Sequence, residues 1–246
     1  MLLPNCKIPS WSNLKLKESG LDSLKRCLDK QHFKNYPKAV SYEYNSRGFR
    51  DVEWPSTDLK NVIWCFGDSF TVGIGQPFDE IWVRKLNFYK RSVNISMAGA
   101  SVNWITRKVV DVLSQIAPRF IIIQWTFLHR REHANHNLSD VERRIRDSNT
   151  TIEQDIENYV SCLNQIKQAT PNGSTVIHSW IPVSDDYSME YTRALKCILD
   201  QKQVKLRSYV LDNTQLDYAR DNYHYDLQTS KKYVQYYLDE MRKFNK

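Results

Sequence analysis

From residue 62 onward, short apolar runs alternate with longer segments of amphipathic character. Five of the apolar runs have the length and the Val, Ile and aromatic content of buried β-strands. They span residues 62–66, 92–97, 120–125, 175–180 and 208–211. Segments with helical spacing of apolar residues separate or follow these runs, and each is long enough to cross between parallel strands. They span residues 80–89, 102–115, 152–169, 189–202 and 229–244. The pattern predicts an α/β domain with a five-stranded parallel sheet between helices.

Two parts of the chain do not follow this alternation. The first 60 residues contain several prolines and glycines, and only residues 21–30 have the spacing of a short helix. We interpret residues 1–60 as an arm packed on one domain formed by residues 61–246. Residues 129–150, which directly follow the third predicted strand, are polar and strongly charged. This composition predicts an insertion and not a core segment.

Composition excludes several classes of protein. Hydrophobic residues make up 41% and charged residues 26%, as in ordinary globular domains. No apolar run approaches the roughly 20 residues of a membrane span, and the amino terminus lacks the apolar core of a signal peptide. We therefore expect no membrane partner, and a cytoplasmic or virion-associated protein. The oligomeric state is left open.

Cysteine content and charge add two expectations. The five cysteines are scattered and form no Cys-x-x-Cys pair, which predicts free thiols without a disulfide framework or zinc site. A net charge of +7 would attract anionic polymers. Since no nucleic-acid-binding motif accompanies this charge, we do not expect nucleic acid to be a partner.

Three residues typical of a nucleophile turn directly follow the first predicted strand, namely Gly67, Asp68 and Ser69. A serine becomes a nucleophile when an adjacent base takes its proton, and it must stand exposed at a turn. Gly67 allows such a turn, and Asp68 can hold it by accepting hydrogen bonds from nearby backbone amides. The same residues could form a turn without catalysis. With Thr71 and Gly73, the segment resembles the first block of the SGNH or GDSL-type hydrolases, whose serine attacks an ester carbonyl.

A second segment, from Asp221 to His224, resembles the Asp-x-x-His block of the same family, where histidine is the base and aspartate holds its imidazole. Alone this match is weak, but it follows the fifth predicted strand and so falls at the same sheet edge as Ser69. The resemblance, which extends over about residues 42–240 and is typical of bacterial and phage members, implies a Ser69–His224–Asp221 triad. It also implies a flavodoxin-like three-layer sandwich, the SGNH hydrolase fold, and no cofactor.

The oxyanion hole that the resemblance implies is less complete. Backbone amides of Ser69 and of Gly99, in a segment similar to the second block, are the expected donors, although Gly99 could simply form a turn. The family's third block, Gly-x-Asn-Asp, supplies an asparagine donor and is missing after residues 120–125. We expect the Thr126 hydroxyl to replace it. Alternatives from the insertion are Arg130, Asn135 and Asn137.

Further side chains are candidates for substrate or metal contacts. Asp68, Trp125 and His178 lie at predicted strand ends and could touch substrate, although core positions are favoured for Trp125 and His178. Three histidines in the insertion have the spacing of one helix face, but neighbouring arginines argue against a metal site and we expect none. The three are His129, His133 and His136.

The segment from Asn45 to Arg50 resembles a run that precedes the sheet in bacterial and phage members of the family. Either residue could line the mouth of a pocket. We favour a packed arm in which Arg50 forms a structural ion pair, because buried arginines are usually paired.

Two functions follow from these patterns. The first is a serine esterase acting on a small-molecule or carbohydrate ester, with a small acyl group. The second is a non-catalytic or weakly active SGNH-fold protein with a binding or structural role, for example as a component of a viral particle. Acyl transfer to an acceptor other than water would use the same residues.

Overall fold

The computed structural model describes residues 12–132, 144–145, 151–182 and 214–244. Strands and helices are numbered separately in chain order. The strands are β1 Lys15–Leu16, β2 Tyr42–Glu43, β3 Ile63–Gly67, β4 Ser92–Ser96, β5 Phe120–Trp125, β6 Arg131–Glu132, β7 Arg144–Ile145 and β8 Thr175–Trp180. The helices are α1 Lys30–Asn35, α2 Ser69–Val72, α3 Trp82–Leu86, α4 Val102–Ile116, α5 Ile152–Ala169 and α6 Leu227–Lys243.

The central sheet of the described residues has four parallel strands in the order β4-β3-β5-β8. Strands β3, β4 and β5 are buried along their whole length, as expected where helices cover both faces. Four predicted strands are confirmed to within one residue at each end. The predicted strand at residues 208–211 and the predicted helix at residues 189–202 lie outside the described residues. The strand order is that of the first four strands of a flavodoxin-like sheet.

Alternate residues of β3 separate the two faces of the sheet. Trp64 and Phe66 pack in the core beneath α4 and α5, whereas Ile63 and Cys65 pack in the core beneath α3 and α6. Because successive side chains of a strand point to opposite faces, one apolar strand serves both cores. The described residues therefore form three layers, in agreement with the expected sandwich.

Helix boundaries follow the capping residues. Ser101 accepts from Trp104 N at the start of α4, and Thr151 forms a capping box with Gln154 at the start of α5, so the predicted helices at residues 102–115 and 152–169 are confirmed. The predicted helix at residues 21–30 is wrong. Residues 21–29 form turns and bends, and α1 begins at Lys30 because the Asp29 carboxylate caps its first amides.

Two other helices differ in length from the prediction. Helix α3 covers only Trp82–Leu86 of the predicted residues 80–89, because a 3₁₀ turn over Phe78–Glu80 precedes it and the chain turns at Asn87, whose side chain accepts from Ser92 N. Helix α6 starts at Leu227, two residues before the predicted start, because Asp217 accepts from the amides of its first turn.

The N-terminal segment packs on the sheet domain through Arg50, which is fully buried. The expected structural ion pair is wrong. The guanidinium donates instead to backbone carbonyls, and it lies 4.2 Å above the ring of Tyr42. The accepting carbonyls belong to Ser41, Val72, Gly73 and Gln76. Arg50 therefore holds the chain that follows α2.

None of the helices in the described ranges combines the length and apolar character that crossing a membrane requires.

Candidate active site

Ser69 stands at the carboxyl end of β3, at the first residue of the short helix α2. Asp68 caps this helix by accepting from Phe70 N at 3.0 Å, as the sequence predicts. A Cβ atom on Gly67 would lie 2.0 Å from Oγ1 of Thr71, so glycine is needed for α2 to fold back this closely. The turn directs Ser69 to the sheet edge where parallel strands end, which is where ligands bind in α/β sheets.

The segment that precedes α6 brings a base to the same edge. Asp221 Oδ1 accepts from the amides of Tyr223 and His224, at 3.2 and 3.1 Å, and Asn222 adopts the left-handed conformation of a tight turn. Asp221 Oδ2 lies 2.5 Å from His224 Nδ1, and His224 Nε2 lies 2.8 Å from Ser69 Oγ. Ser69, His224 and Asp221 therefore form one chain of hydrogen bonds.

Electrostatics fix the direction of this chain. Burial of Asp221 would raise the pKa of its carboxyl group, but the facing His224 imidazole and the backbone amides lower it below the ordinary value. An ionised Asp221 accepts from Nδ1–H of His224. The imidazole then presents the lone pair of Nε2 to the Ser69 hydroxyl, so the arrangement can take a proton from Ser69.

Two backbone amides, one after β3 and one after β4, have no acceptor among the described residues. Within the described ranges, the N–H groups of Ser69 and Gly99 donate to no protein atom. Gly99 is buried, has φ 74°, and lies in the turn between β4 and α4. Met97 N donates to the carbonyl of Gly67 at 3.3 Å and so ties that turn to the end of β3. Because buried amides are rarely unpaired, these two donors are available to a ligand.

The structure contradicts the prediction that the Thr126 hydroxyl is the third oxyanion donor. Thr126 Oγ1 lies 2.6 Å from Asp68 Oδ2 and donates its only proton to that carboxylate. Arg130 Nη1 lies 3.0 Å from the same carboxylate oxygen and 2.9 Å from Thr126 Oγ1. Asn135 and Asn137 lie outside the described residues. Of the alternatives named from sequence, Arg130 is the one that the structure brings to Asp68, next to Ser69.

The structure also contradicts the three predicted substrate contacts, which are those of Asp68, Trp125 and His178. Asp68 and Trp125 are fully buried, and the Asp68 carboxylate is occupied by Phe70, Thr126 and Arg130. Trp125 Nε1 lies 3.0 Å from Nδ1 of His178, and burial lowers the pKa of His178 to about 3. His178 is therefore a neutral core histidine, the interpretation that the sequence favoured. Two of the three clustered histidines, His133 and His136, lie outside the described residues.

Sequence reasoning missed an ion-pair network beneath the site. Asp22 is fully buried, and its carboxylate accepts from the Tyr42 hydroxyl at 2.6 Å and from Arg220 Nε and Nη2 at 3.0 and 2.7 Å. Tyr42 Oη accepts from Gly75 N at 2.8 Å, and Arg220 N donates to the carbonyl of Gly75 at 3.1 Å. The N-terminal segment thus joins the chain after α2 to the loop that carries Asp221. No local pattern signals this network.

Tyr223 was also missed as a site residue, although it lies inside the Asp-x-x-His block. It is 42% exposed, and its ring meets the ring of His224 edge-on at a centroid distance of 5.0 Å. It also contacts Phe70, at 5.8 Å. An exposed aromatic ring therefore borders the base.

No protein-family model matches the sequence, and neither does any curated protein. Solved structures match in fold. A family two carbohydrate esterase from Clostridium thermocellum, in complex with cellohexaose, has a TM-score of 0.53 at 13% identity, covering 78% of this chain and 67% of its own. A GDSL-like lipase from Bacteroides thetaiotaomicron has a TM-score of 0.50 at 10% identity, covering 78% and 92% of the two chains. At these identities the likeness shows a shared fold.

Proposed function

We propose that this chain, which has the α/β fold of the SGNH or GDSL-type hydrolases, is a serine esterase with Ser69 as nucleophile. The observation that carries the proposal is the hydrogen-bond chain from Ser69 Oγ through His224 to Asp221, with spacings of 2.8 and 2.5 Å. Heavy-atom spacings of this size are what proton transfer between nucleophile and base requires.

Acylation begins when Ser69 Oγ bonds to the carbonyl carbon of the ester and its proton passes to His224 Nε2. The carbonyl electron pair moves onto the oxygen, and the amides of Ser69 and Gly99 donate to the resulting oxyanion. Asp221 stabilises the imidazolium that forms. Collapse of the tetrahedral intermediate breaks the ester bond, and the leaving alcohol takes the proton from His224.

Deacylation repeats these steps with water as the nucleophile. His224 removes a proton from water as its oxygen bonds to the acyl carbon, and it then returns that proton to Ser69 Oγ as the acid leaves. The residues regain their starting protonation states, so the cycle needs no cofactor. An alcohol acceptor in place of water would make the same site an acyltransferase.

For the substrate, we propose a small acyl group such as acetate on a carbohydrate. The carbohydrate esterase with the same fold supports this class, as does the exposed ring of Tyr223 beside His224. Aromatic faces suit the apolar faces of sugar rings. The competing function is a binding protein without catalysis, which is favoured by the missing Gly-x-Asn-Asp block.

Burst kinetics with p-nitrophenyl acetate and labelling by a fluorophosphonate test the proposal. The wild type and a Ser114→Ala control, whose serine is exposed on α4, should both show a burst and one label. Ser69→Ala should show neither while keeping the thermal unfolding temperature of the wild type. Labelling that persists in Ser69→Ala rules out Ser69 as nucleophile. A stable, folded wild type that neither labels nor hydrolyses esters supports the binding protein.

A further inference from the structure

The loop after β5 occupies the place where the related family carries its third oxyanion donor. Thr126 cannot fill this role, because its hydroxyl proton is donated to Asp68 Oδ2 at 2.6 Å. The hydroxyl can then only accept, and it does so from Arg130 Nη1 at 2.9 Å. The donor that this loop brings to Asp68, the residue before Ser69, is therefore the guanidinium of Arg130.

Arg130 is held on several sides. Its guanidinium lies 4.5 Å from the centroid of the Phe127 ring, and its backbone amide donates to the carbonyl of Phe127 at 3.1 Å. Its own carbonyl accepts from Val102 N at 3.3 Å, at the first residue of α4. Together with the contacts to Asp68 and Thr126, these bonds fix the plane of the guanidinium. A fixed donor loses little conformational entropy when it binds a developing charge.

The position of Arg130 links the two segments that carry the backbone donors. Its side chain contacts Asp68, which directly precedes Ser69, and its main chain contacts Val102, three residues after Gly99. The N–H groups of Ser69 and Gly99 are the two amides without an acceptor described above. Arg130 thus connects the two segments that carry the unpaired amides, at the same edge of the sheet.

The guanidinium has donors to spare. The side chain of arginine carries five N–H groups, and within the described residues the side-chain hydrogen bonds of Arg130 all involve Nη1. The side chain is 15% exposed, so it is largely withdrawn from water while still open to a ligand. An ion pair with Asp68 alone would leave Nε and Nη2 without a role.

We propose that Arg130 donates the third hydrogen bond to the oxyanion, in place of the asparagine that this chain lacks; the inference rests on the esterase function proposed above. A charge-assisted donor is roughly twice as strong as a neutral one, and it acts here in a mostly buried site. The bonds that form and break are those of acylation, and Arg130 neither gains nor loses a proton. It stabilises the negative charge on the carbonyl oxygen.

The test compares Arg130→Gln with Arg131→Gln, a neighbour that is likewise paired to a buried carboxylate, that of Asp155, at 2.7 Å. Arg130→Gln should lower kcat about 100- to 1000-fold with KM changed less than threefold, the loss typical of one oxyanion donor. Arg131→Gln should stay within threefold of wild type. Added guanidinium chloride, at millimolar concentration, should raise the activity of Arg130→Ala at least fivefold and leave wild type unchanged.

A second pair of variants separates donation to the oxyanion from a structural pairing with Asp68. If Arg130 only neutralises Asp68, then in an Asp68→Asn background the change Arg130→Gln should have no further effect. We expect kcat to fall about 100-fold in that background as well. This inference alone would be overturned if Asp68→Asn and the double variant Asp68→Asn/Arg130→Gln had equal kcat. A wild-type kcat in Arg130→Gln would overturn it as well. Loss of all ester turnover in the wild type would overturn the esterase proposal with it.

Discussion

Arg220 holds both carboxylate oxygens of Asp22, with Nε 3.0 Å from Oδ1 and Nη2 2.7 Å from Oδ2, although 198 positions separate the two residues. Asp22 belongs to the N-terminal segment, and Arg220 directly precedes Asp221. His32 Nε2 lies 2.8 Å from the carbonyl of Ala219 and adds a second link between the same segments. The position of the proposed base therefore depends on residues far outside the sheet.

Asp22→Asn should destabilise the fold and slow catalysis. Breaking a buried ion pair by removing one partner costs about 3 kcal/mol, because the remaining charge stays unpaired. Displacement of the Asp221 loop should lower kcat at least tenfold under conditions where the variant is fully folded. Urea unfolding and ester hydrolysis measure the two effects. Glu43→Gln, which removes an exposed pair with Lys15 in the same segment, should change neither.

A folded Asp22→Asn variant with wild-type kcat would show that the ion pair has only a structural role. The rate of labelling by a fluorophosphonate adds a second readout, because a displaced imidazole activates Ser69 less well. A destabilised protein with an undisturbed site would keep the labelling rate of the wild type.

The sheet and part of the site could be predicted from sequence because their signals are local. Strand β5 is apolar except for Gln124 and is buried along its whole length, so its composition alone predicts it. Ser69 and His224 carry motifs whose residues lie within a few positions of one another. The parallel topology then brings the two motifs to one edge.

What could not be predicted depends on contacts between distant residues. Nothing around Asp22 indicates that it meets Arg220. Thr126 has a hydroxyl at the position expected for an oxyanion donor, but this hydroxyl donates its hydrogen bond to the Asp68 carboxylate. Arg50 looked like an ion-pair partner, yet its Nη1 and Nη2 donate to backbone carbonyls. In each case the outcome is decided by competition among partners that only the folded chain brings together.

Asp221→Asn should lower kcat by about four orders of magnitude, as loss of the orienting carboxylate does in other serine triads. The amide NH₂ group cannot accept from Nδ1–H, so it favours the tautomer whose Nε2 carries the proton and cannot take one from Ser69. Initial rates with p-nitrophenyl acetate measure the loss. Asp239→Asn, an exposed change on α6, is the control. Residual activity within tenfold of wild type would contradict the proposed role of Asp221.

Tyr223→Ala should weaken binding of a carbohydrate ester without affecting the chemical step. Loss of one aromatic contact of about 1 kcal/mol corresponds to a KM about fivefold higher, with kcat within threefold. Tyr223→Phe should keep the wild-type KM because the ring is retained. Tyr89→Ala removes another exposed ring, beyond α3, and is the matched control. An unchanged KM for an acetylated oligosaccharide in Tyr223→Ala would count against a sugar platform.

His178 should make the protein sensitive to acid. Burial lowers the pKa of its imidazole from 6.5 to about 3, so the folded protein cannot accept the proton that the unfolded chain takes up. The stabilisation is complete above pH 6.5 and is lost as the pH falls towards 3. Asp51 acts in the opposite sense, because burial raises its pKa to about 6 and its contribution is lost as the pH rises. The two groups therefore partly cancel each other in the pH dependence of the stability of the wild type.

The contribution of His178 to stability can be isolated by comparing the wild type with His178→Gln. His178→Gln keeps an acceptor for Trp125 Nε1 but has no titrating group, and its Asp51 contribution is that of the wild type. Its free energy of unfolding should be lower than that of the wild type at pH 7. At pH 4.5 the wild type alone has lost much of the histidine contribution, so the difference in unfolding free energy between the two proteins should narrow by about 2 to 3 kcal/mol. Urea unfolding at the two pH values measures it. A gap that is constant with pH would mean that His178 titrates normally in the folded protein.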